Sequence, residues 1–148
     1  MNTNVTIERP EVRLEVPERN VTLLVNQGGL VPISDNFSLT AGTNLSALRA
    51  VTTNGSGEAV YATTDTLANA TVFGITSTAA NAGSAVSVRS SGILEDANWN
   101  WTKGTVYLGT NGALTQTAPT GGAVVVHIGR ALTATKLQID IDTTITTV

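Results

Sequence analysis

The feature that most narrows the fold is a series of short apolar runs of strand length, set between turn-forming residues, with no window of sustained helical periodicity. The runs are Leu45 to Val51, Glu58 to Ala62, Thr71 to Ile75, Ala85 to Arg89, Thr105 to Leu108, Ala123 to Ile128 and Lys136 to Ile141. Short strands at this spacing predict an all-β domain, a compact barrel or sandwich of short antiparallel strands. Asn54-Gly55 and Asn111-Gly112 predict hairpins, because both central residues of the tight turn that matches strand twist need positive φ. A turn of helix is expected at most over Thr63 to Ala70, and Thr76 to Gly83 reads as a loop.

The amino-terminal quarter has a different texture. Seven charged residues (Glu8, Arg9, Glu11, Arg13, Glu15, Glu18 and Arg19) crowd its first 19 positions. Val12, Leu14 and Val16 alternate with Glu11, Arg13 and Glu15, and Val21, Leu23 and Val25 continue the two-residue period, so both segments read as half-buried strands. Pro17 cannot donate to a ladder and breaks them apart. Gly28, Gly29, Pro32, Asp35, Asn36 and Gly42 then supply turn chemistry for an irregular connection. The expected organisation is an extended N-terminal arm and linker over residues 1–35 and a barrel or sandwich over 36–148. Left unpaired, an alternating segment such as Glu11 to Val16 invites pairing with another chain's open sheet edge. Val12, Leu14, Val16, Val21, Leu23 and Val25 are therefore candidate assembly contacts.

Composition limits the partners. The chain of 148 residues is 41% hydrophobic but only 13% charged, so much of its surface is neutral Thr, Ser, Asn and Ala, suited to packing against other subunits. A net charge of -3, with Lys and Arg scattered, gives no basic footprint for nucleic acid. The absence of cysteine removes disulfides, thiolate metal sites and cysteine nucleophiles together. Glu8, Arg9, Glu11 and Arg13 interrupt the amino terminus where a secretion signal needs an apolar stretch, and no run approaches a membrane span. The expectation is synthesis in the cytoplasm with neither membrane nor nucleic acid as a partner.

Groups suited to catalysis are sparse. His127 is the one histidine, and its place directly after Val124, Val125 and Val126 favours a packed residue or a subunit contact over a catalytic base. Asp140 and Asp142 flank Ile141 and share a strand face, and Glu95 adjoins Asp96; both pairs read as solvated strand ends, too few for a cation loop. The glycines match neither dinucleotide nor P-loop spacing. No catalytic, cofactor-binding or metal residues are expected, and no enzyme activity. Trp99 and Trp101, separated by Asn100, would share one face of a strand as a platform for a glycan, or else plug a barrel end or anchor a neighbouring subunit. A faint internal echo sets Thr40-Ala41-Gly42 before Asn54-Gly55 against Thr102-Lys103-Gly104 before Asn111-Gly112, and Phe73-Gly74-Ile75 against Ile128-Gly129-Arg130.

The stretch from Asp96 through Trp99-Asn100-Trp101-Thr102 to Gly104, with Val106 to Gly109, Gly112 to Pro119 and Ile128 to Leu132, resembles a small β-barrel module of tailed-bacteriophage virion proteins. The resemblance covers about Thr40 to Asp142, and its most specific parts are Trp-x-Trp-Thr and Leu114-Thr115-Gln116-Thr117-Ala118-Pro119. It implies a capsid decoration (cement) protein or a head or tail fibre protein, assembled as a homo-oligomer, commonly a trimer. The implied partners are further copies of itself and the major capsid protein or another virion protein, with the virion as its location. The alternative it leaves open is a fibre, spike or baseplate subunit that binds host glycans.

Overall fold

A computed structural model of the chain describes residues 24–26, 29–31, 36–121, 124–142 and 146–147. Val12, Leu14, Val16, Val21 and Leu23 lie outside the described residues. The chain divides into two compact units, residues 1–33 and 34–148. In the first, β1 (Leu24–Asn26) pairs antiparallel with β2 (Gly29–Val31), Val25 opposite Leu30. The irregular connection expected between Asn26 and Leu45 thus contains a short ribbon strand and, at Asn36–Thr40, a five-residue strand of the second unit.

The second unit is all-β, as the strand-length runs predict, with no α-helix among its described residues. One five-stranded antiparallel sheet is built from β3 (Asn36–Thr40), β4 (Ala50–Thr53), β5 (Ala59–Tyr61), β6 (Gly74–Thr76) and β7 (Ala85–Arg89), in the order β3-β7-β6-β4-β5. A parallel bridge between Ala41 and Ala59 joins its two edges at one end and curls it toward a barrel. Next come β8 (Ser91–Glu95), β9 (Gly104–Leu108), β10 (Leu114–Thr115), β11 (Val124–Val125), β12 (His127–Ala131), β13 (Lys136–Asp140) and β14 (Thr146–Thr147). The second five-stranded sheet has the order β8-β13-β12-β9-β10, and β11 pairs with β14 in a separate ribbon.

These two sheets are the same motif twice. In each, the chain's first strand pairs with its fifth, the fifth with the fourth, the fourth with the second, and the second with the third. The registers also coincide. Val51 opposite Gly74 corresponds to Val106 opposite Gly129, Thr53 opposite Ala59 to Leu108 opposite Leu114, and Ile75 opposite Arg89 to Arg130 opposite Gln138. Gly74 and Gly129 are required for one reason: a β-carbon would lie 2.7 Å from the Arg89 carbonyl oxygen in the first repeat and would press into the equivalent Gln138 carbonyl in the second. The echo in sequence accompanies a repeated structural motif, with two of its correspondences revised: by register Asn54-Gly55 matches Gly109-Thr110, not Asn111-Gly112. Thr40 ends the first strand of its sheet whereas Gly104 opens the second strand of the other, so those triplets are not equivalent.

Both hairpins form. In the β9–β10 turn Asn111 (φ 51) and Gly112 (φ 68) take the two positive-φ positions, and the Ala113 N–H donates to the Thr110 carbonyl at 3.0 Å. The β4–β5 loop departs from the expected tight turn. Asn54 organises it, its Oδ1 accepting from the Ser56 and Glu58 N–H groups at 3.0 Å each, and Gly57 (φ 78) takes the positive φ. The strand-closing bonds again correspond: Asn54 N–H to the Glu58 carbonyl at 2.9 Å, Gly109 N–H to the Ala113 carbonyl at 2.7 Å.

Side-chain alternation on β4 sends Val51 to one face of the first sheet and Ala50 to the other. Val51 joins Ala41, Leu45, Ala59, Val86 and Val88 inside the curl. Ala50 and Ile75 point outward into a larger cluster with Leu94, Val106, Leu108, Ile128 and Leu137 of the second sheet. The central strands β4 and β6 of the first sheet are buried on both faces and read as apolar runs, whereas β3 and β7 alternate exposed and covered positions. Each fully buried Val, Leu or Ile contributes about 1.5–3 kcal/mol.

Candidate functional site

The loop from Trp99 to Thr102 and the segment from Leu114 to Gln116 are physically one unit. Gln116, just beyond β10, turns its amide toward the loop before β9: its Oε1 accepts from the Thr102 N–H at 3.0 Å, and its Nε2 donates back to the Thr102 carbonyl at 2.5 Å. Side-chain and backbone amides match in geometry, so one glutamine replaces a missing strand-to-strand pair. Tyr61 holds the register-equivalent place in the first repeat and does the same work with one bond, its hydroxyl oxygen accepting from the Ser46 N–H at 2.8 Å.

Trp99 and Trp101 lie in the loop between β8 and β9, not in a strand. The Trp101 N–H donates to the Ala134 carbonyl at 2.9 Å, and that of Trp99 to Asp96 at 3.2 Å. Their ring centroids are 5.7 Å apart with planes inclined by 56°. Both are half-buried against the larger core cluster, and the Trp101 indole Nε1 is buried without a hydrogen-bond partner. The rings therefore do not form the shared flat face expected of a strand. Tilted packing over the end of the core is what this geometry provides.

The outer face of the second sheet holds a shallow groove of about 280 Å³ lined by Thr105, His127, Gly129, Arg130, Gln138, Asp140 and Asp142. A β-bulge between His127 and Gly129 creates it. His127 and Arg130 are an odd number of positions apart and would face opposite sides of a regular strand; the extra bulge residue brings both to solvent. His127 is exposed rather than packed inside an apolar strand, and its ring meets Tyr107 edge-on, centroids 4.9 Å apart. Its carbonyl accepts from the Asp142 N–H at 3.0 Å, which folds the chain after β13 back over the groove rim.

The other acidic residues have local work. Glu95 pairs with Lys136 across β8 and β13 at 3.7 Å, both ends well exposed, and Asp96 accepts from the Asn98 N–H at 2.7 Å in the Trp loop. Asp65 is held below the usual carboxylate range by hydrogen bonds from Thr63 and then Asn69. Among the described residues, no three His, Asp or Glu side chains converge as a metal site, and no helix is long and apolar enough to cross a membrane. The bulge that makes the groove was missed by sequence reasoning, although the Ile128-Gly129-Arg130 triplet, a glycine inside a strand, marked its place. No protein-family model matches the chain, and no curated protein shows significant similarity to it.

Proposed function

We propose that this chain is a structural subunit of a tailed-bacteriophage virion, a capsid decoration (cement) protein that binds the head shell as a homo-oligomer, a trimer by preference. The observation that carries the reading is the Gln116–Thr102 clasp, which ties Trp99-Asn100-Trp101-Thr102 to Leu114–Pro119 and so makes the resembling segments a single surface element. The low charge of 13% supports it too, because neutral surfaces dock on other subunits with little desolvation cost. The work is mechanical and non-enzymatic: bridging neighbouring capsid subunits raises the cost of opening the shell, and symmetry multiplies a modest contact over many copies. Arm residues such as Val12, Leu14 and Val16 serve attachment by adding a strand to a neighbour's sheet edge.

The test mixes the purified full-length chain with undecorated capsids of the matching phage and measures bound copies by sedimentation and electron microscopy. Saturable, stoichiometric binding to the shell is expected, and a variant lacking Met1 to Asn26 should stay folded but fail to bind. Binding to tails or to host envelope, with none to the shell, would replace this reading with a fibre, spike or baseplate subunit that contacts glycans through Trp99 and Trp101.

A further inference from the structure

The two repeats differ most where one of them is covered and the other is not. In the first repeat the outward positions are Ala50, Val72 and Ile75, all packed into the larger cluster. The tip of the β9–β10 hairpin lands on one edge of that face, at Ala50: Gly112 lies against Ala50 and Tyr61, and its N–H donates to the Ala62 carbonyl at 2.7 Å. In the second repeat the equivalent positions are Thr105, His127 and Arg130, which line the groove together with Gln138 and Asp140. The side chains of Arg130, Gln138 and Asp140 have no hydrogen-bond or ion-pair partner among the described residues.

The first repeat has the complementary part. Its hairpin tip, residues 54–58, is the register equivalent of 109–113, and Gly57 is the equivalent of Gly112. Around Gly112 a β-carbon would press into the Ala50 carbonyl, but around Gly57 nothing lies within 4 Å. Each chain thus carries one groove without a tip and one tip without a groove, register counterparts of the pair joined inside it; the tips differ in that the Gly57 N–H donates to the Asn54 carbonyl of its own loop at 2.9 Å, whereas the Gly112 N–H makes the joint.

We infer that the groove of Thr105, His127 and Arg130 docks the Asn54–Glu58 hairpin tip of a second copy, so that chains associate head to tail through the register counterparts of the joint within each. The inference rests on the homo-oligomer of the proposed function and names its interface. Such a contact is heterologous, and a rotation that closes gives a ring of fixed size. Polar residues suit this groove because it is exposed before assembly; the apolar set of the first repeat would be an aggregation patch there. Polar side chains with free hydrogen-bonding capacity leave the monomer soluble and still give the incoming turn partners.

The chain has no cysteine, so an engineered pair gives an unambiguous crosslink. The full-length protein carrying Ser56→Cys and Thr105→Cys is oxidised, then resolved on a denaturing gel with and without reductant, and the unmodified chain is sedimented in parallel. The expected result is a ladder of disulfide-linked multimers ending at the size of the native oligomer, with neither single variant giving the ladder. Thr105→Arg, a solvent-facing change checked for folding by circular dichroism, should convert the oligomer to monomers. An unmodified oligomer that sediments as such while the double variant yields no multimers overturns the head-to-tail interface but leaves the homo-oligomer standing. An unmodified chain that sediments as a monomer at every concentration overturns both.

Discussion

Replacing Gly112 and Gly57 by alanine, one at a time, separates the cost of a backbone conformation from the cost of a joint. Both residues occupy the same place in equivalent hairpins, with φ of +68 and +78. An alanine held in that left-handed region costs about 1–2 kcal/mol at either site. Only at Gly112 does the added methyl meet the Ala50 carbonyl, with the Tyr61 ring 3.1 Å away, and overpacking a fixed contact of this kind adds about 1–3 kcal/mol. Gly112→Ala should therefore destabilise by about 2–5 kcal/mol and Gly57→Ala by about 1–2 kcal/mol. Urea unfolding of both variants in the Thr105→Arg background, where the Asn54–Glu58 tip has no second copy to dock on, gives the comparison at one protein concentration with equal m-values required. Equal losses for the two variants would refute the claim that the second hairpin's tip is wedged on the first repeat.

Three further outcomes follow from single features. Gln116→Ala removes both bonds of the clasp and should cost about 1–2 kcal/mol in chemical unfolding, while Tyr61→Phe removes one such bond and should cost about half as much. Leu137→Ala, at a fully buried site, should lower stability by about 2–5 kcal/mol, whereas Ile93→Ala, 52% exposed on β8, should stay within about 0.5 kcal/mol of the parent. Asp65 has its pKa lowered from 3.8, so its contribution is fully present above that value and is lost as pH falls through the lower folded-state value. Asp65→Asn should accordingly flatten the acid limb of a stability-against-pH curve and leave its neutral region nearly level; an unchanged acid limb would count against those hydrogen bonds.

Much of the fold was legible because strand period and turn chemistry are local. Glu58 to Ala62, Ala85 to Arg89, Thr105 to Leu108 and Lys136 to Ile141 each match an observed strand to within a residue at either end, and both Asn-Gly dipeptides sit at hairpins. Leu45 to Val51 was legible only at its end. Leu45 itself makes an isolated bridge to Ala80, and β4 begins at Ala50, because the residues between form a loop in which Leu48 takes a positive φ of 60. The strands Asn36–Thr40 and Ser91–Glu95 gave weak signals: β3 places Phe37 and Leu39 half-buried between exposed neighbours, and β8 puts Ile93 in solvent. The site was less legible than the fold, since a bulge is a two-against-one pairing that no single strand's sequence records.

The repeated motif explains which residues a reader of the sequence could match and which not. Val51 and Val106, Gly74 and Gly129, and Gly57 and Gly112 are identical pairs, and each is held by a demand both repeats share: an interior-facing branched side chain, a carbonyl too close for a β-carbon, a left-handed turn. Ala50 against Thr105, Val72 against His127 and Ile75 against Arg130 differ because only the first member of each pair is covered by another sheet. The exchange of apolar for polar residues at these three positions therefore falls on the one face whose surroundings differ. A repeated unit stacked on its own copy has an uncovered end, and that end must become polar if the folded chain is to stay in solution without its neighbours. The same argument makes Thr105, His127 and Arg130 the positions where apolar substitutions should promote self-association first, ahead of equally exposed positions elsewhere on the second sheet.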